Sequence, residues 1–312
     1  MYSLLLAVNV VIPLIVYMVV GVFIRKCNIL YEEHFKKLNE MIFRILIPIT
    51  LFFDVYNSEF RAVFQPKLYL FAILMIVLIC AISFTVVSKL VRNKSDAVTI
   101  VQGIYRSNYV LFGGTIAASL CGESGTAITA ALAVIVVPLF NMLAVILFET
   151  LHDSKVKIAH MILHIFQNPL VDAGILGAIF NLLNVKIPEI LKMPLMSLGN
   201  IATPLALVTL GGLLSLKSMI SHTRYLFVTV VCRLVVVPAL AVAISIALGF
   251  RQEALVALFA VFASPTAVSS TPMAQSMGGN GNLAGEIVVI SSIGSILTIF
   301  LFVAGMAELG FI

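Results

Sequence analysis

Long apolar runs broken by short polar stretches recur along the whole chain, and each run lasts about 20 residues, the length a helix needs to cross a bilayer. Ten such blocks stand out, near residues 4–24, 37–57, 67–90, 97–119, 126–149, 161–184, 196–216, 225–249, 253–276 and 284–307. The pattern predicts an all-α polytopic membrane protein of ten transmembrane helices. The longest interruption, residues 150–160, leaves no room for a soluble domain. The opening block, MYSLLLAVNVVIPLIVYMVVGVFIRK, has no basic leader and reads as a retained helix rather than a signal peptide.

Composition agrees. Apolar residues make up 61% of the chain and charged ones 11%, where a soluble domain carries about a quarter charged. The net charge of +5 reports topology and not nucleic-acid binding, because the cations sit in loops. Loops after the first, third, fifth and seventh blocks hold Arg25, Lys26, Lys36, Lys37, Lys89, Arg92, Lys94, Lys155, Lys157, Lys217 and Arg224. The opposite face has Arg61, Lys67, Lys186, Lys192 and Arg251. The positive-inside rule therefore places both termini on the non-cytoplasmic side of the cell (inner) membrane. Cys27, Cys80, Cys121 and Cys232 show neither CxxC nor Cys/His spacing and read as helix-packing residues, with no metal, cofactor or disulfide framework implied. HExxH, GxSxG and Walker motifs are missing too, so the sequence argues against an enzyme or an ATP-driven pump.

Shifting the sequence by 156 reveals a repeat. Pro13 falls on Pro169, Pro48 on Pro204, Gly21 on Gly177, Asn28 on Asn184, Gly122 on Gly278 and Gly125 on Gly281, in one register without a gap. Five blocks per repeat is an odd number, so the second copy enters the membrane from the opposite side. Inverted repeats with a midplane site on interrupted helices are the architecture of many secondary transporters.

The fourth block, RSNYVLFGGTIAASLCG, and the ninth, FASPTAVSSTPMAQSMGG, carry the polar interruptions. The offset places Asn108 on Ser264 and Gly114 on Ser270. Proline removes an amide donor and clashes with the preceding turn, and each glycine weakens a helix by about 1 kcal/mol relative to alanine. Breaks are therefore expected at Gly113 and Gly114, and around Pro265 and Pro272. Freed backbone groups are tolerated in lipid only where protein or a watery cavity satisfies them. Two broken helices meeting at one cavity would offer half-helix N-termini to a carboxylate, with Asn108, Ser264, Ser269, Ser270 and Thr271 to orient it. The plainer reading is close helix packing by small residues.

Arg106 lies about ten residues into its block, roughly 15 Å at 1.5 Å per residue. A charge at that depth is costly and marks a functional candidate. Either it attracts an anion, or it pairs with Asp172 or with backbone carbonyls. Arg44 and Arg233 read as snorkelling or structurally paired residues near the cytoplasmic face. Glu286 is expected to complement a helix dipole in the first turn of the tenth block. Asn141, beside Pro138, can reach the cavity. Blocks four, five and nine have no central acid, which weakens a cation exchanger and leaves Asp172 as the coupling candidate.

Four stretches together, NPLVDAGILGAIFNLL (168–183), RSNYVLFG (106–113), IPITLFF (47–53) and ASPTAVSSTPMAQSMGG (263–279), resemble the auxin efflux carrier family, which includes plant PIN-FORMED carriers and bacterial permeases. The resemblance spans all ten blocks. It implies two inverted five-helix repeats with helices 4 and 9 crossing at the substrate site, in an elevator-type transporter. Residues 1–62 and 156–220 would form a scaffold, commonly dimeric, and residues 63–155 and 221–312 the transport domain. By position Asn108 matches the family's site asparagine and Ser264 to Thr271 the ninth-helix crossover. The plant proteins' proline at the fourth-helix crossover is replaced here by Gly113, Gly114 and Thr115, and their long cytoplasmic loop shrinks to residues 150–160.

The reading that follows is a secondary transporter of a small organic anion, such as malate, malonate or an auxin-like acid, working by alternating access in the lipid bilayer as a homodimer. An exchanger or symporter coupled to H+ or Na+ through Asp172 and a non-transporting membrane receptor are the alternatives.

Overall fold

The computed structural model describes residues 2–57, 65–150, 169–214, 219–220 and 222–312. All the regular structure in these residues is helical. Helices α1 (Tyr2–Lys26), α2 (Glu32–Met41), α3 (Ile47–Tyr56), α4 (Pro66–Leu90), α5 (Lys94–Tyr105) and α6 (Tyr109–Glu149) make the first half. The second half holds α7 (Pro169–Leu182), α8 (Glu189–Leu213), α9 (Thr223–Val231), α10 (Val237–Ala247), α11 (Gln252–Ala263), α12 (Ser270–Ser276) and α13 (Gly281–Glu308). Among the described residues, five helical runs have the length and composition to cross a membrane: 66–90, 111–149, 189–213, 223–247 and 281–308. Residues 169–182 and 252–263 form shorter apolar helices. The chain is a polytopic membrane protein. Of the expected loop at 150–160 all but Thr150, and the start of the sixth block, lie outside the described residues.

Several joints show how sequence becomes geometry. Residues 42–46 and 232–236 are π-helical turns that run straight into the next helix. Each precedes a proline, Pro48 or Pro238, whose ring would collide with the carbonyl four residues back in a regular helix. Widening the turn accommodates that ring without ending the helix. Asn93 caps α5 by accepting from the Ser95 and Asp96 amides at 2.9 and 3.4 Å. Asn280 caps α13 through the Leu283 amide and donates to Asp96 at 2.8 Å, tying the two helix starts together. Gly122, at φ 63, breaks α6 into two limbs, 109–121 and 123–149. The second limb folds back so that Thr129 reaches Tyr109 and Gly113.

The repeat is visible in helix ends and in residues of positive φ. Asn28 and Asn184 both take the left-handed conformation, at φ 54 and 52, just past α1 and α7. Gly122 and Gly278 do the same at φ 63 and 82. The register is not gapless, however. α5 ends at Tyr105 and α11 at Ala263, an offset of 158 rather than 156. Two residues are gained before the break, so Arg106 and Ser264, not Asn108 and Ser264, are the corresponding first non-helical residues.

α1 packs on α8, and α3 on α7, so each half grips the other. The α1–α8 contact is backbone against backbone: a Cβ at Gly21 would land on the Val208 carbonyl, and one at Gly211 on that of Met18. The deepest core surrounds α5 and α11, where every residue of 97–105 and of 255–263 is buried. Helices apolar on all sides belong in the interior.

Gly211→Ala is expected to destabilise the protein by roughly 1–3 kcal/mol, the range for overpacking. Gly305→Ala, where nothing lies within 4 Å of the added methyl, should be neutral or slightly stabilising, since alanine is the better helix former. A thermal melt in detergent followed with a thiol-reactive dye, reading exposure of buried Cys80, checks both. Equal melting temperatures for the two variants would contradict the close α1–α8 contact.

Candidate functional site

α5 and α11 both stop inside the core, and their ends meet. Arg106 leaves α5 with extended backbone (φ −85, ψ 113), and Ser264 leaves α11 the same way (φ −61, ψ 145). Proline at 265 enforces the second break, because it disfavours helical backbone in the preceding residue. Ser107 and Thr266 then pair as an isolated antiparallel bridge. The Asn108 amide donates to the Pro265 carbonyl at 2.7 Å, and the Ala267 amide to the Arg106 carbonyl at 3.3 Å. The two extended strands cross and satisfy each other.

The last four carbonyls of a helix have no partner within it, and in a membrane interior they must find one. For α5 the accounting closes. The Gln102 carbonyl takes the Arg106 amide at 3.0 Å and that of Gly103 takes the Thr266 hydroxyl at 2.9 Å. The Ile104 and Tyr105 carbonyls take Arg233 Nη1 at 3.1 and 3.2 Å. Arg233 simultaneously serves α11: Nε and Nη2 donate to the Ser264 carbonyl at 2.8 and 2.7 Å, and Nη2 to that of Val261 at 3.1 Å. Its side chain is wholly buried. Arg233 therefore does not snorkel: it lies at the crossing, and all its donors are used on carbonyls.

On the other side of the crossing the helices restart. α6 begins at Tyr109 with Asn108 as its N-cap, and α12 at Ser270 with Ser269 preceding it. Arg106, 3% exposed, projects here. Its Nη2 donates to Asn141 Oδ1 at 2.6 Å and Ser269 Oγ at 3.0 Å, and Nη1 approaches Met273 Sδ at 2.9 Å. Asn141 in turn donates to the Val137 carbonyl at 3.0 Å. Among the described residues no hydrogen-bond or ion-pair partner of Arg106 is a carboxylate, and Asp172 is not its partner. Asp172 is half-buried in the first turn of α7. Glu286, expected at a helix start, is buried one turn further in and meets His222 Nδ1 at 2.8 Å. Arg44 stands exposed and pairs with Glu40 at 3.0 Å.

A cavity of about 130 Å³ opens beside the restart, and Arg106, Asn108, Asn141 and Ser269 all line it. The Nδ2 of Asn108 is buried without a hydrogen-bond partner among the described residues. A second cavity, about 420 Å³, adjoins it, and Asp54, Tyr109 and Val137 belong to both walls. Gly114 lines only the second. Gly113 packs on Tyr109 and Thr129, and the Thr115 hydroxyl bonds the Leu111 carbonyl inside α6. The expected break at Gly113 and Gly114 is therefore displaced to 106–108. Two glycines do not end a helix by themselves; the partner strand at Pro265–Thr266, which offers replacement hydrogen bonds, decides where the chain opens.

Ser264, Pro265, Ser270 and Thr271 do not line the first cavity. The Ser264 hydroxyl bonds the Ala260 carbonyl at 2.5 Å, and Thr271 faces a small pocket beside Glu286. Sequence reasoning passed over Thr50, Asp54 and Thr203 in the wall; of its two readings of Arg233, snorkelling or structural pairing, the second holds. Asp54 did leave a signal: it is the one acid in the apolar run IPITLFFDVY, and an intramembrane carboxylate is a functional candidate by default.

The profile of a family described as membrane transport protein matches residues 6–160 and 152–303, in two segments. A comparison with curated proteins gave no match. The family match covers nearly the whole chain, and the chain belongs to that family, the auxin efflux carriers and their PIN-like relatives.

Arg233→Lys keeps the charge but supplies three donors in place of five, stranding buried carbonyls at about 1–3 kcal/mol each. The variant should melt well below wild type in the thiol-dye assay, with Arg233→Ala at least as low. A melting temperature unchanged in Arg233→Lys would mean that charge alone holds the crossing.

Proposed function

We propose that the protein is a secondary transporter that carries a small organic anion through the helix crossing by alternating access. The observation that carries this reading is the positive wall of the first cavity, where Arg106, the start of α6 and the Asn108 amide converge. Arg106 contributes a full charge with no acidic neighbour among its hydrogen-bond partners. The N-terminus of α6 adds the equivalent of roughly half a charge, with the unpartnered Asn108 amide beside it. Backbone amides at such a terminus are a ready site for a carboxylate. The cavity volume suits a carboxylate on a short carbon chain, since about 130 Å³ is roughly four times the 30 Å³ share of one water molecule.

In this reading Asn108 donates to the carboxylate, Arg106 supplies the field, and Asn141 and Ser269 hold the guanidinium in place. Family membership supports transport over the receptor alternative. Asp172 lines neither cavity, so coupling through it is not pursued. The remaining framework is part of the same proposal: ten spans as two inverted repeats, both termini on the non-cytoplasmic side of the cell membrane, and a scaffold of helices one, two, six and seven that dimerises while the rest moves as an elevator.

The test is transport by purified protein in liposomes, with malate, malonate, lactate, succinate and indole-acetate as substrates, read as current on a capacitive sensor and as radiolabelled uptake. One or more acids should show saturable transport that Asn108→Ala abolishes while its melting temperature stays at the wild-type value. Arg106→Gln should lose most of the transport, by about tenfold or more, as expected for a charge-assisted contact. Undiminished transport by Asn108→Ala would remove the crossing as the site.

A further inference from the structure

Asp54 is out of place in a cavity built for an anion. It stands on α3, exposed, in the wall of both cavities. Among the described residues it has neither a hydrogen-bond donor nor an ion-pair partner. Among the described residues, the other titratable or charged groups that share its cavities are Arg106 and Tyr109. On its own helix, Tyr56 turns away to the Val185 carbonyl at 2.9 Å. The other charged groups on the helices packed around α3 line neither cavity: Asp172 on α7, Glu189 and Lys192 (paired at 3.6 Å) on α8, Glu123 and Glu149 on α6, and Arg44 in the π-turn.

We infer that Asp54 is the proton-binding partner of the carried carboxylate, so that anion and proton occupy the crossing together. The inference rests on the organic-anion reading above and adds what the site must bind with its substrate. With Asp54 ionised, the empty cavity holds one positive and one negative group and is balanced. A carboxylate entering then faces a second carboxylate in a poorly solvated space, where like charges strongly disfavour double ionisation. A proton taken from the open side onto an Asp54 oxygen removes that repulsion and turns the group into a hydrogen-bond donor. For a monoanion the loaded cavity is then balanced again. The two half-loaded forms, anion alone or proton alone, each leave an uncompensated charge at membrane depth, which is costly. Binding of the two is thus mutually reinforcing, and the reinforcement is reciprocal by linkage. No covalent bond changes: the proton is bound from solution and returned to it.

The experiment measures equilibrium binding of radiolabelled lactate, malonate, malate, succinate and indole-acetate to purified protein across a pH series, for wild type and Asp54→Asn. Wild-type affinity should fall by about tenfold per pH unit above the titration of Asp54, the slope for one proton taken up per anion. Asp54→Asn carries a permanently neutral donor. It should lose that slope and bind more tightly than wild type at neutral pH, a gain that misfolding cannot imitate. The same pH profile in both proteins overturns the inference. So does loss of binding by Asp54→Asn at every pH with a normal melting transition, which would assign Asp54 to a cationic group on the substrate. If wild type binds none of the acids while folded, the organic-anion reading itself falls and takes this inference with it.

Discussion

Two helices that end inside a membrane protein leave their terminal carbonyls with no water to turn to, and a single guanidinium answers for both. Arg233 donates to the ends of α5 and α11 at once, from a wholly buried position. A helix C-terminus carries the equivalent of about half a negative charge, so two of them nearly balance one arginine without any carboxylate. Lysine could not substitute in geometry, because only the planar fork reaches so many acceptors in fixed directions. The extended pairing of Ser107 with Thr266 then needs no side chain at all. Everything that positions the cavity, from the restart of α6 to the placement of Arg106, follows from this closure.

The crossing also sorts charge. Carbonyls gather beneath it and are neutralised by Arg233; amides gather above it, where Arg106 adds to their field instead of cancelling it. An arginine at a helix N-terminus is unfavourable by itself. Here Asn141 and Ser269 hold it by hydrogen bonds, which fix its direction without removing its charge. The result is a cavity wall where Arg106 and the start of α6 gather positive potential, with the Asp54 carboxylate lining the same cavity. Neither arginine can be understood from its depth in the membrane alone. What separates their roles is which end of a broken helix each one faces.

The apolar helices of a polytopic membrane protein, the repeat near 156 and the interruptions near residues 106 and 264 were legible because they depend on local properties: run length, proline and glycine placement, and polarity. Asn28 and Asn184 matched in sequence and match again in left-handed backbone. Asn108, Asn141, Arg106 and Ser269 were legible as polar residues in apolar surroundings, and the fold gathers them in one wall. Gly113 and Gly114 misled for a physical reason. Glycine lowers the cost of a break, but a break occurs where replacement hydrogen bonds exist, and those came from a strand about 160 residues away in sequence. Arg233 was legible only as far as two alternatives, snorkelling or structural pairing; the converging helix ends, reached from a π-turn, decide for the second.

What the sequence determined by itself is the material: apolar helices of bilayer length, duplicated, with two weak points and a few polar groups that cannot face lipid. Tertiary structure alone decided where the weak points open, which arginine closes carbonyls and which faces the cavity, and that Asp54 shares a wall with Arg106. The division has a simple cause. Hydrophobicity and backbone propensity act within a few residues of the chain, whereas the satisfaction of a buried polar group depends on whatever partner the fold brings within hydrogen-bond reach.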